Sequence, residues 1–407
     1  MVEPPAAESP RRFRALALIA AGELLAMSLW FSGSAVAPSV SAEWGLGASG
    51  IAWLTLSVQL GFVLGTLVSA TANLADVLST RGLFAASAFL GAASNAALAL
   101  AARGPASGMA LRFLTGFFLA GVYPPGMKLT ATWFSRGRGA ALGLLIGGIT
   151  LGKAFPYLVN AVGRGGWRAH VLVVSAMAAA GGALVLFFVE EGPFATPTAP
   201  FDIGQAVKVF RNRGVRLADF GYFGHMWELY AMWTWIPIFL RASLAVRGES
   251  PRLAEASSFI VIGSGAVGCV AAGILADRHG RTAVTSAALA ISGACCLAIG
   301  PLFGAPPAVL LVVAAVWGAS VVADSAQFSA CVTELADRRY IGTALTVQTC
   351  IGFLLTMVSI EIVGRISLAA GWRWAFAVLA PGPVFGIAAM LRLRRLPEAA
   401  RIAGGRR

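Results

Sequence analysis

The sequence predicts an all-α membrane protein with twelve transmembrane helices in two pseudo-symmetric six-helix bundles. Composition is the first reason: of 407 residues, 58% are hydrophobic and 12% are charged, and the mean hydropathy is +0.78. A soluble protein cannot bury that much apolar surface. The second reason is a series of apolar runs long enough to cross a bilayer as helices. The third is an acidic and aromatic pattern that occurs in both the first and the seventh of these runs.

Twelve apolar segments of about 20 residues or more follow one another along the chain. They lie near residues 15–40, 50–72, 82–102, 106–127, 138–162, 169–189, 215–240, 255–276, 282–301, 306–330, 341–366 and 373–391. This order predicts one six-helix bundle over residues 1–190 and a second over residues 215–407. The polar residues 191–214 between them are predicted to form a cytoplasmic linker that ends in a short amphipathic helix on the membrane surface.

The net charge of +13 does not indicate a nucleic-acid partner, because Lys and Arg lie in short loops and tails between the apolar runs. These residues are concentrated on the side that carries both termini, which predicts that both termini are cytoplasmic. Arg11, Arg12 and Arg14 precede the first run, as in a signal peptide. That run is too long for a signal peptide, and Pro38 follows the apparent cleavage site, so the first helix is expected to stay on the protein.

The first and seventh segments share the pattern Glu-Leu-x-Ala-Met-x-x-Trp, which begins at Glu23 and at Glu228. Spacings of four and seven residues place Glu, Met and Trp on one face of each helix. A carboxylate in the middle of a bilayer costs about 2.5–3.5 kcal/mol on insertion scales, which makes it a functional candidate. We therefore expect these two helix faces to form the walls of a solute pathway.

Four residues are candidates for proton exchange: Glu23, Glu228, His225 and Asp324. Glu23 and Glu228 lie near the middle of their segments, and His225 lies one turn before Glu228. A second interpretation of Glu23 is a permanent pair with Arg112 that fixes helix packing. A lone histidine in a helix also has a structural interpretation.

Six residues are candidates for substrate binding: Trp30, Arg112, Lys153, Trp227, Tyr230 and Gln348. The aromatic side chains suit planar or cationic solutes, and the alternative is packing inside the bundle. A basic side chain at Lys153 suits an anion, and the alternative is a side chain that reaches the membrane surface. Asp219 and Glu361 lie near segment ends and are expected to be solvated.

The loop after the eighth segment reads Gly273-Ile-Leu-Ala-Asp277-Arg278-His-Gly280-Arg281. It resembles the G-x-L-A-D-R-x-G-R signature of the major facilitator superfamily at every fixed position. The loop after the second segment keeps Leu-Ala-Asp76 and the distal Arg81 but lacks both glycines. The resemblance implies a gating role for Asp76, Arg81, Gly273, Asp277, Arg278, Gly280 and Arg281. Physically, an aspartate there can accept hydrogen bonds from the start of a neighbouring helix.

The resemblance implies a secondary transporter that works by alternating access, not an enzyme. The sequence contains no nucleotide-binding Gly-x-x-x-x-Gly-Lys-Ser/Thr motif, and its five cysteines and three histidines form no metal-site pattern, so no cofactor is expected. The expected partners are a small-molecule substrate, protons and membrane lipid, and the chain is expected to act as a monomer. Proton-coupled uptake of a small organic or inorganic anion is the main interpretation. Proton-antiport efflux of lipophilic or cationic compounds, and a transporter-like sensor, remain alternatives.

The segments Tyr123-Pro-Pro-Gly-Met-Lys128 and Asp324-Ser-Ala-Gln-Phe328 are similar to bacterial members of the cyanate and nitrate type. Nitrate itself is not expected, because the second and eighth segments carry no arginine in their apolar spans. The fifth segment lacks the Gly-Pro pair of the antiporter motif, which favours uptake over efflux.

Overall fold

A computed structural model of the chain describes residues 10–134, 138–163, 165–194, 210–337 and 340–406. These residues form helices joined by loops. The helices of the first half are α1 (Arg12–Met27), α2 (Ser32–Ala35), α3 (Ala37–Trp44), α4 (Ala48–Thr71), α5 (Leu74–Val77), α6 (Thr80–Leu100), α7 (Pro105–Leu119), α8 (Tyr123–Ala131), α9 (Arg138–Val162) and α10 (Trp167–Phe188).

The helices of the second half are α11 (Arg213–Ala245), α12 (Pro251–His279), α13 (Arg281–Ala298), α14 (Pro307–Ala323), α15 (Ser325–Leu335), α16 (Ile341–Ala369), α17 (Trp372–Ala375) and α18 (Pro381–Arg394). Short 3₁₀ helices lie at Gly300–Leu302, Ala377–Leu379 and Pro397–Gly405. The amphipathic helix predicted in the linker falls largely on residues 195–209, which lie outside the described residues.

Within the described residues, ten helices are long and apolar enough to cross a membrane. A multi-pass membrane protein is thereby confirmed, while twelve crossings stay a prediction. The first and seventh predicted segments are not among the ten. Helix α1 ends after 16 residues, and the 33-residue helix α11 carries the polar residues Asp219, His225 and Glu228 in its interior.

Four of the predicted segments are interrupted rather than continuous. The first breaks between Met27 and Ser32, the fourth between α7 and α8, the tenth at Asp324, and the twelfth between α17 and α18. The break in the fourth segment has a local cause. Pro124 and Pro125 open α8, and proline has no backbone N–H to continue a helix from α7. Each break exposes backbone polar groups inside the bundle, where polar side chains can satisfy them.

The two halves of the chain meet along α9 against α12 and along α4 against α16. In the first of these contacts Gly143 and Gly147 face the backbone of α12. A Cβ atom on Gly147 would lie 3.2 Å from the carbonyl oxygen of Ala266. Small residues let the two helix backbones approach closely, which is how membrane helices pack without a hydrophobic driving force between them.

The outer surface of the helices is apolar, as expected for a chain surrounded by lipid. Leu100, Phe187 and Leu368 are each 74% exposed. The end of the molecule that carries Arg12 and Arg394 is called the terminal face below, and the other end is called the opposite face. On the terminal face, Thr80 donates its backbone N–H to Glu191 at 2.9 Å, which ties α6 to the chain that leaves the first half.

Candidate functional site

The guanidinium of Arg112 lies at the break in the first segment. It is fully buried, and its Nη1 donates to the backbone oxygen of Leu29 at 3.0 Å, to Ser32 Oγ at 3.1 Å and to Asn95 Oδ1 at 3.0 Å. Its Nη2 donates to the backbone oxygen of Trp30. A guanidinium can serve several acceptors at once because its donors are fixed in a planar fork. Arg112 therefore holds the broken helix in place and thereby positions Trp30.

The pairing of Glu23 with Arg112, one of the two interpretations from sequence, is absent. The donors of Arg112 contact the atoms around the helix break, and both oxygens of Glu23 are buried without a hydrogen bond from any described residue. Arg112 thus contacts backbone and neutral side chains instead of an acid.

Lys153, on α9, places its ammonium group between three aromatic rings. Its Nζ lies 4.7 Å from the ring centre of Trp30, 4.8 Å from that of Tyr230 and 5.0 Å from that of Trp233, and it donates to Tyr230 Oη at 2.5 Å. We call Trp30, Tyr230 and Trp233 the aromatic cage. Cation–π contacts in a desolvated site are worth about 2 kcal/mol or more. Because Tyr230 and Trp233 belong to the second half and Lys153 to the first, the contact joins the two halves.

Phe31 and Phe353 pack around the cage. Phe353 lies 5.0 Å from Tyr230 and 5.5 Å from Trp30, measured between ring centres, and Phe31 stands edge-on to Trp233 at 6.1 Å. These rings exclude water from Lys153, whose side chain is buried. The two halves are therefore closed against each other at this level.

Two cavities lie between the halves and share one residue, Tyr123. A small cavity of about 30 Å³ is lined by Lys153, Tyr230 and Trp233 of the cage region and by Tyr123. A larger cavity of about 360 Å³ extends from Tyr123 towards the terminal face, where Lys128 and other residues line it. The larger cavity is also lined by Asn73, Ala75, Ser329, Gly342, Thr346 and Thr349, from both halves. A solute that enters from the terminal face would thus pass Lys128 before it reaches Tyr123, which also lines the small cavity that contains Lys153.

Glu23 lies against the start of α8, close to these cavities. Its Oε1 occupies the position where a side chain on residue 126 would begin, since a Cβ atom on Gly126 would lie only 1.9 Å from it. Pro124 and Pro125 have no N–H, and the N–H of Gly126 donates to the backbone oxygen of Val122 at 2.9 Å. The first turn of α8 therefore offers few amides to the Glu23 carboxyl group.

Glu228, the counterpart of Glu23 in the sequence repeat, has a different environment. It accepts hydrogen bonds from Ser292 Oγ at 2.9 Å, Cys296 Sγ at 3.0 Å and Trp317 Nε1 at 2.6 Å. These donors lie on α13 and α14, so the carboxyl group points into the second half and does not line either cavity. The sequence repeat therefore does not produce two matching cavity walls.

Two further acids are buried in the second half. His225 Nδ1 and Asp324 Oδ1 are 2.8 Å apart and both side chains are 1% exposed, although the contact lacks the alignment of a hydrogen bond. Asp219 is also fully buried and accepts a hydrogen bond from Gln348 Nε2 at 2.9 Å. The expectation of a solvated Asp219 is wrong, because α11 begins at Arg213 and carries Asp219 into the bundle.

Two of the residues predicted to bind substrate lie elsewhere. Trp227 packs against α18 and donates its Nε1 to the backbone oxygen of Val378 at 3.2 Å. Gln348 faces Asp219 of α11 and also accepts a hydrogen bond from Ser329 Oγ of α15 at 3.3 Å. Neither residue lines the small cavity.

The signature loop after α12 is held mainly by its last residue. Arg281 opens α13 and donates to both oxygens of Glu334, at 2.8 and 3.1 Å, and to Gln327 Oε1 at 2.6 Å. Gly280 has a φ of +92°, a conformation that favours glycine at this turn. Asp277 receives no described hydrogen bond on its carboxylate; its backbone oxygen accepts from Arg406. The predicted contact of Asp277 with a neighbouring helix start is therefore not made in this conformation.

The other residues of the signature make weaker contacts than Arg281 in this conformation. Arg278 is exposed, and Gly273 packs near Gly143, with 3.9 Å between its Cα and a Cβ built on Gly143. In the first-half loop, Arg81 Nη1 reaches the backbone oxygen of Val189 at 3.5 Å. The side chain of Asp76 lies outside the described part of the chain.

Comparison with known families identifies the architecture. The family model of the Major Facilitator Superfamily matches residues 18–360, which is most of the chain. The chain belongs to the major facilitator superfamily. No curated protein matches it in sequence. The superfamily is a family of membrane transporters, generally not of enzymes, and the described residues contain no group of His, Cys, Asp and Glu arranged to hold a metal ion.

Three residues at the site of this superfamily member were not among the candidates predicted from the sequence. Trp233 completes the cage, Tyr123 joins the cavities, and Gly126 makes room for Glu23. The sequence shows Trp233 as one of several tryptophans around Glu228, but the face on which its side chain lies depends on how α11 is rotated against α9. Tyr123 and Gly126 were seen only as part of a segment resemblance.

Proposed function

We propose that the chain is a secondary transporter that takes up a small organic or inorganic anion together with protons by alternating access. In this proposal residues 1–190 and 215–407 form two six-helix bundles that rock about residues 191–214. The observation that carries the proposal is the position of Lys153: a buried ammonium group at the contact between the halves, at the end of a path from the terminal face.

Charge and size support a small anion as substrate. Among the residues that line the small cavity, Lys153 is the one with a basic side chain. A fixed ammonium group attracts an anion and repels a cation, and in a desolvated site this effect is far stronger than in water. The small cavity has a volume of about 30 Å³, which favours a solute of only a few atoms over a large one.

Glu23 is the residue we assign to proton coupling. It lies beside the path, has no hydrogen-bond donor among the described residues, and interacts electrostatically with Lys153. Glu228 is held by three donors inside the second half, which suits a structural anchor. We keep the pair His225 and Asp324 as a second candidate, because both groups are titratable and buried together.

The arrangement of the halves supports alternating access. The larger cavity is open towards the terminal face, while the aromatic cage closes the path on its far side. The carboxylate of Asp277 accepts no hydrogen bond from the described residues, which fits a latch that is released in this conformation and engaged in the opposite one. Glycines at the α9–α12 contact allow these helices to move against each other.

The excess of Lys and Arg on the terminal face supports a cytoplasmic location for both termini in a bacterial inner membrane. The cavity then faces the cytoplasm. The resemblance of Tyr123–Lys128 to members of the cyanate and nitrate type is consistent with a small anion.

One observation favours the alternative function, efflux of cationic compounds in exchange for protons. An aromatic cage is a common way to bind an organic cation. Here, however, the cage is filled by Lys153, and a second cation would meet its charge. A transporter-like sensor, the alternative of another class, would bind solute without moving it.

The test is solute-driven proton movement in proteoliposomes that contain a trapped pH dye. Addition of small monovalent anions such as formate, acetate or cyanate outside should acidify the lumen. The signal should be lost in Lys153→Met and kept in Arg365→Gln, which removes an exposed positive charge far from the path. Alkalinisation by organic cations would establish efflux instead, and binding without flux would establish a sensor.

A further inference from the structure

The ammonium group of Lys153 and the carboxyl group of Glu23 interact electrostatically but do not form an ion pair. Lys153 is satisfied by Tyr230 Oη and the faces of the cage, whereas both oxygens of Glu23 are buried without a donor from the described part of the chain. An ionised carboxylate in that position would be strongly destabilised, because burial removes its hydration and nothing replaces it. A neutral, protonated Glu23 has no such cost.

Among the described residues, the groups around Glu23 offer no other way to hold a negative charge. The titratable groups that interact with it are Tyr123 on α8 and Lys153 on α9, and α10 presents the apolar Val185 beside Gly22. Around Lys153 the titratable groups are Glu23, Tyr230 and Cys269 of α12. Lys153 is therefore the cation through which Glu23 can become a stable carboxylate.

We propose that Lys153 alternates between two partners, the aromatic cage and Glu23, and that Glu23 carries a proton whenever Lys153 is in the cage. This inference rests on the proposed function and gives its proton coupling a mechanism. When the cage opens, the Glu23 carboxylic acid releases its proton to water in the open path. The remaining carboxylate then pairs with the Lys153 ammonium group, so the total charge of the two side chains falls by one.

This exchange of partners sets the number of protons that move with each anion. An anion that binds the ammonium group of Lys153 takes the place of the Glu23 carboxylate, so Glu23 keeps its proton. Each monovalent anion is then moved with one proton, and the empty protein reorients with Lys153 paired to Glu23. The aromatic cage is the alternative partner of Lys153, and it holds Lys153 in the conformation that is open to the terminal face.

Infrared spectroscopy of the purified full chain in detergent tests the inference without any substrate. At pH 7 the wild-type protein should show the carbonyl band of a protonated carboxylic acid that is absent from Glu23→Gln. Trp233→Ala opens the cage and should remove this band as Lys153 pairs with Glu23. Adding Lys153→Met to Trp233→Ala should restore it, because the cation is gone. Trp235→Ala, on the same helix but bonded to Ile360, is the matched control and should keep the band.

Tyr230→Phe is a milder second variant that removes only the hydroxyl contact with Lys153, and it should weaken the same band. A wild-type spectrum without the Glu23 band, or a band unchanged in both cage variants, would overturn the exchange. Such a result would leave anion uptake through Lys153 standing. Conversely, the absence of anion flux in proteoliposomes would refute the proposed function and leave the infrared spectra unaffected.

Discussion

Arg112 Nη1 lies 3.0 Å from the backbone oxygen of Leu29, at the point where the first helix breaks. A buried guanidinium thus replaces the helical hydrogen bonds that the chain loses between α1 and α2. The same side chain also donates to Trp30, so the geometry of the aromatic cage depends on an arginine that does not line the small cavity.

We predict that Arg112→Lys destabilises the protein by about 3 kcal/mol, because an ammonium group cannot reach all of these acceptors and each buried unsatisfied group costs about 1–3 kcal/mol. The apparent melting temperature in detergent measures the effect. Arg241→Lys should change it little, because the side chain of Arg241 is 39% exposed and the lysine keeps the positive charge beside Glu255. An unchanged melting temperature for Arg112→Lys would show that the helix break does not need the guanidinium.

Gly126→Ala should reduce transport by displacing Glu23. The added Cβ atom would lie 1.9 Å from Glu23 Oε1 and 2.8 Å from its Cδ, so the carboxyl group must move. Overpacking of this kind costs about 1–3 kcal/mol. We expect a loss of proton-coupled flux in proteoliposomes, whereas Gly47→Ala, where nothing lies within 4 Å of the new atom, should transport normally. Full activity of Gly126→Ala would argue against a fixed position for Glu23.

Glu228→Gln separates the structural role of Glu228 from proton coupling. The amide group presents one oxygen instead of two, so at least one of the three donors on Ser292, Cys296 and Trp317 loses its acceptor. We expect a loss of about 2 kcal/mol in stability, with proton movement retained at a temperature where the variant is folded. Glu23→Gln should show the reverse pattern. Abolished proton movement in a folded Glu228→Gln variant would move the coupling site to the second half.

On the opposite face, an ion pair gives a pH-dependent prediction. Glu43 accepts from Arg168 at 2.6 and 2.9 Å and from Trp167 at 2.8 Å. The hydrogen bonds from Arg168 first, and from Trp167 second, lower the pKa of Glu43 to about 2. Because this pKa is lower in the folded state, the pair stabilises the protein fully above the unfolded pKa of about 4.3. That stabilisation is lost as the pH falls towards about 2.

The melting temperature of Glu43→Gln should therefore be lower than that of the wild type at pH 6. The difference should shrink as the pH is lowered from about 4.3 towards 2, and also at high salt, since the pair is partly exposed. Glu361→Gln is the control, because Glu361 makes a single contact with Arg365 within one helix. A difference between Glu43→Gln and wild type that does not change with pH would show that the pair has no linkage to folding.

The proteoliposome experiment tests whether Lys153 binds the substrate. The infrared experiment tests whether the partner of Lys153 controls the proton on Glu23.

The class of this protein follows from local properties of its amino-acid sequence. Apolar length and charge distribution are local properties, and they suffice to show a multi-pass membrane protein. The loop from Gly273 to Arg281 suffices to indicate the superfamily. The sequence also predicts three residues of the site: Lys153, Trp30 and Tyr230. A charged side chain inside a bilayer is costly and therefore indicates a functional site.

Which of these candidates share a site depends on how the helices pack in three dimensions. Glu23 and Glu228 occupy the same register of a repeated pattern, yet one lies beside the path and the other bonds to Ser292, Cys296 and Trp317. The difference arises because the first segment breaks after Met27 and α11 continues to Ala245, so the two helices present different faces to their neighbours. Pairing across the halves, as between Lys153 and Tyr230, depends on helix rotation and contact, which no local spacing encodes.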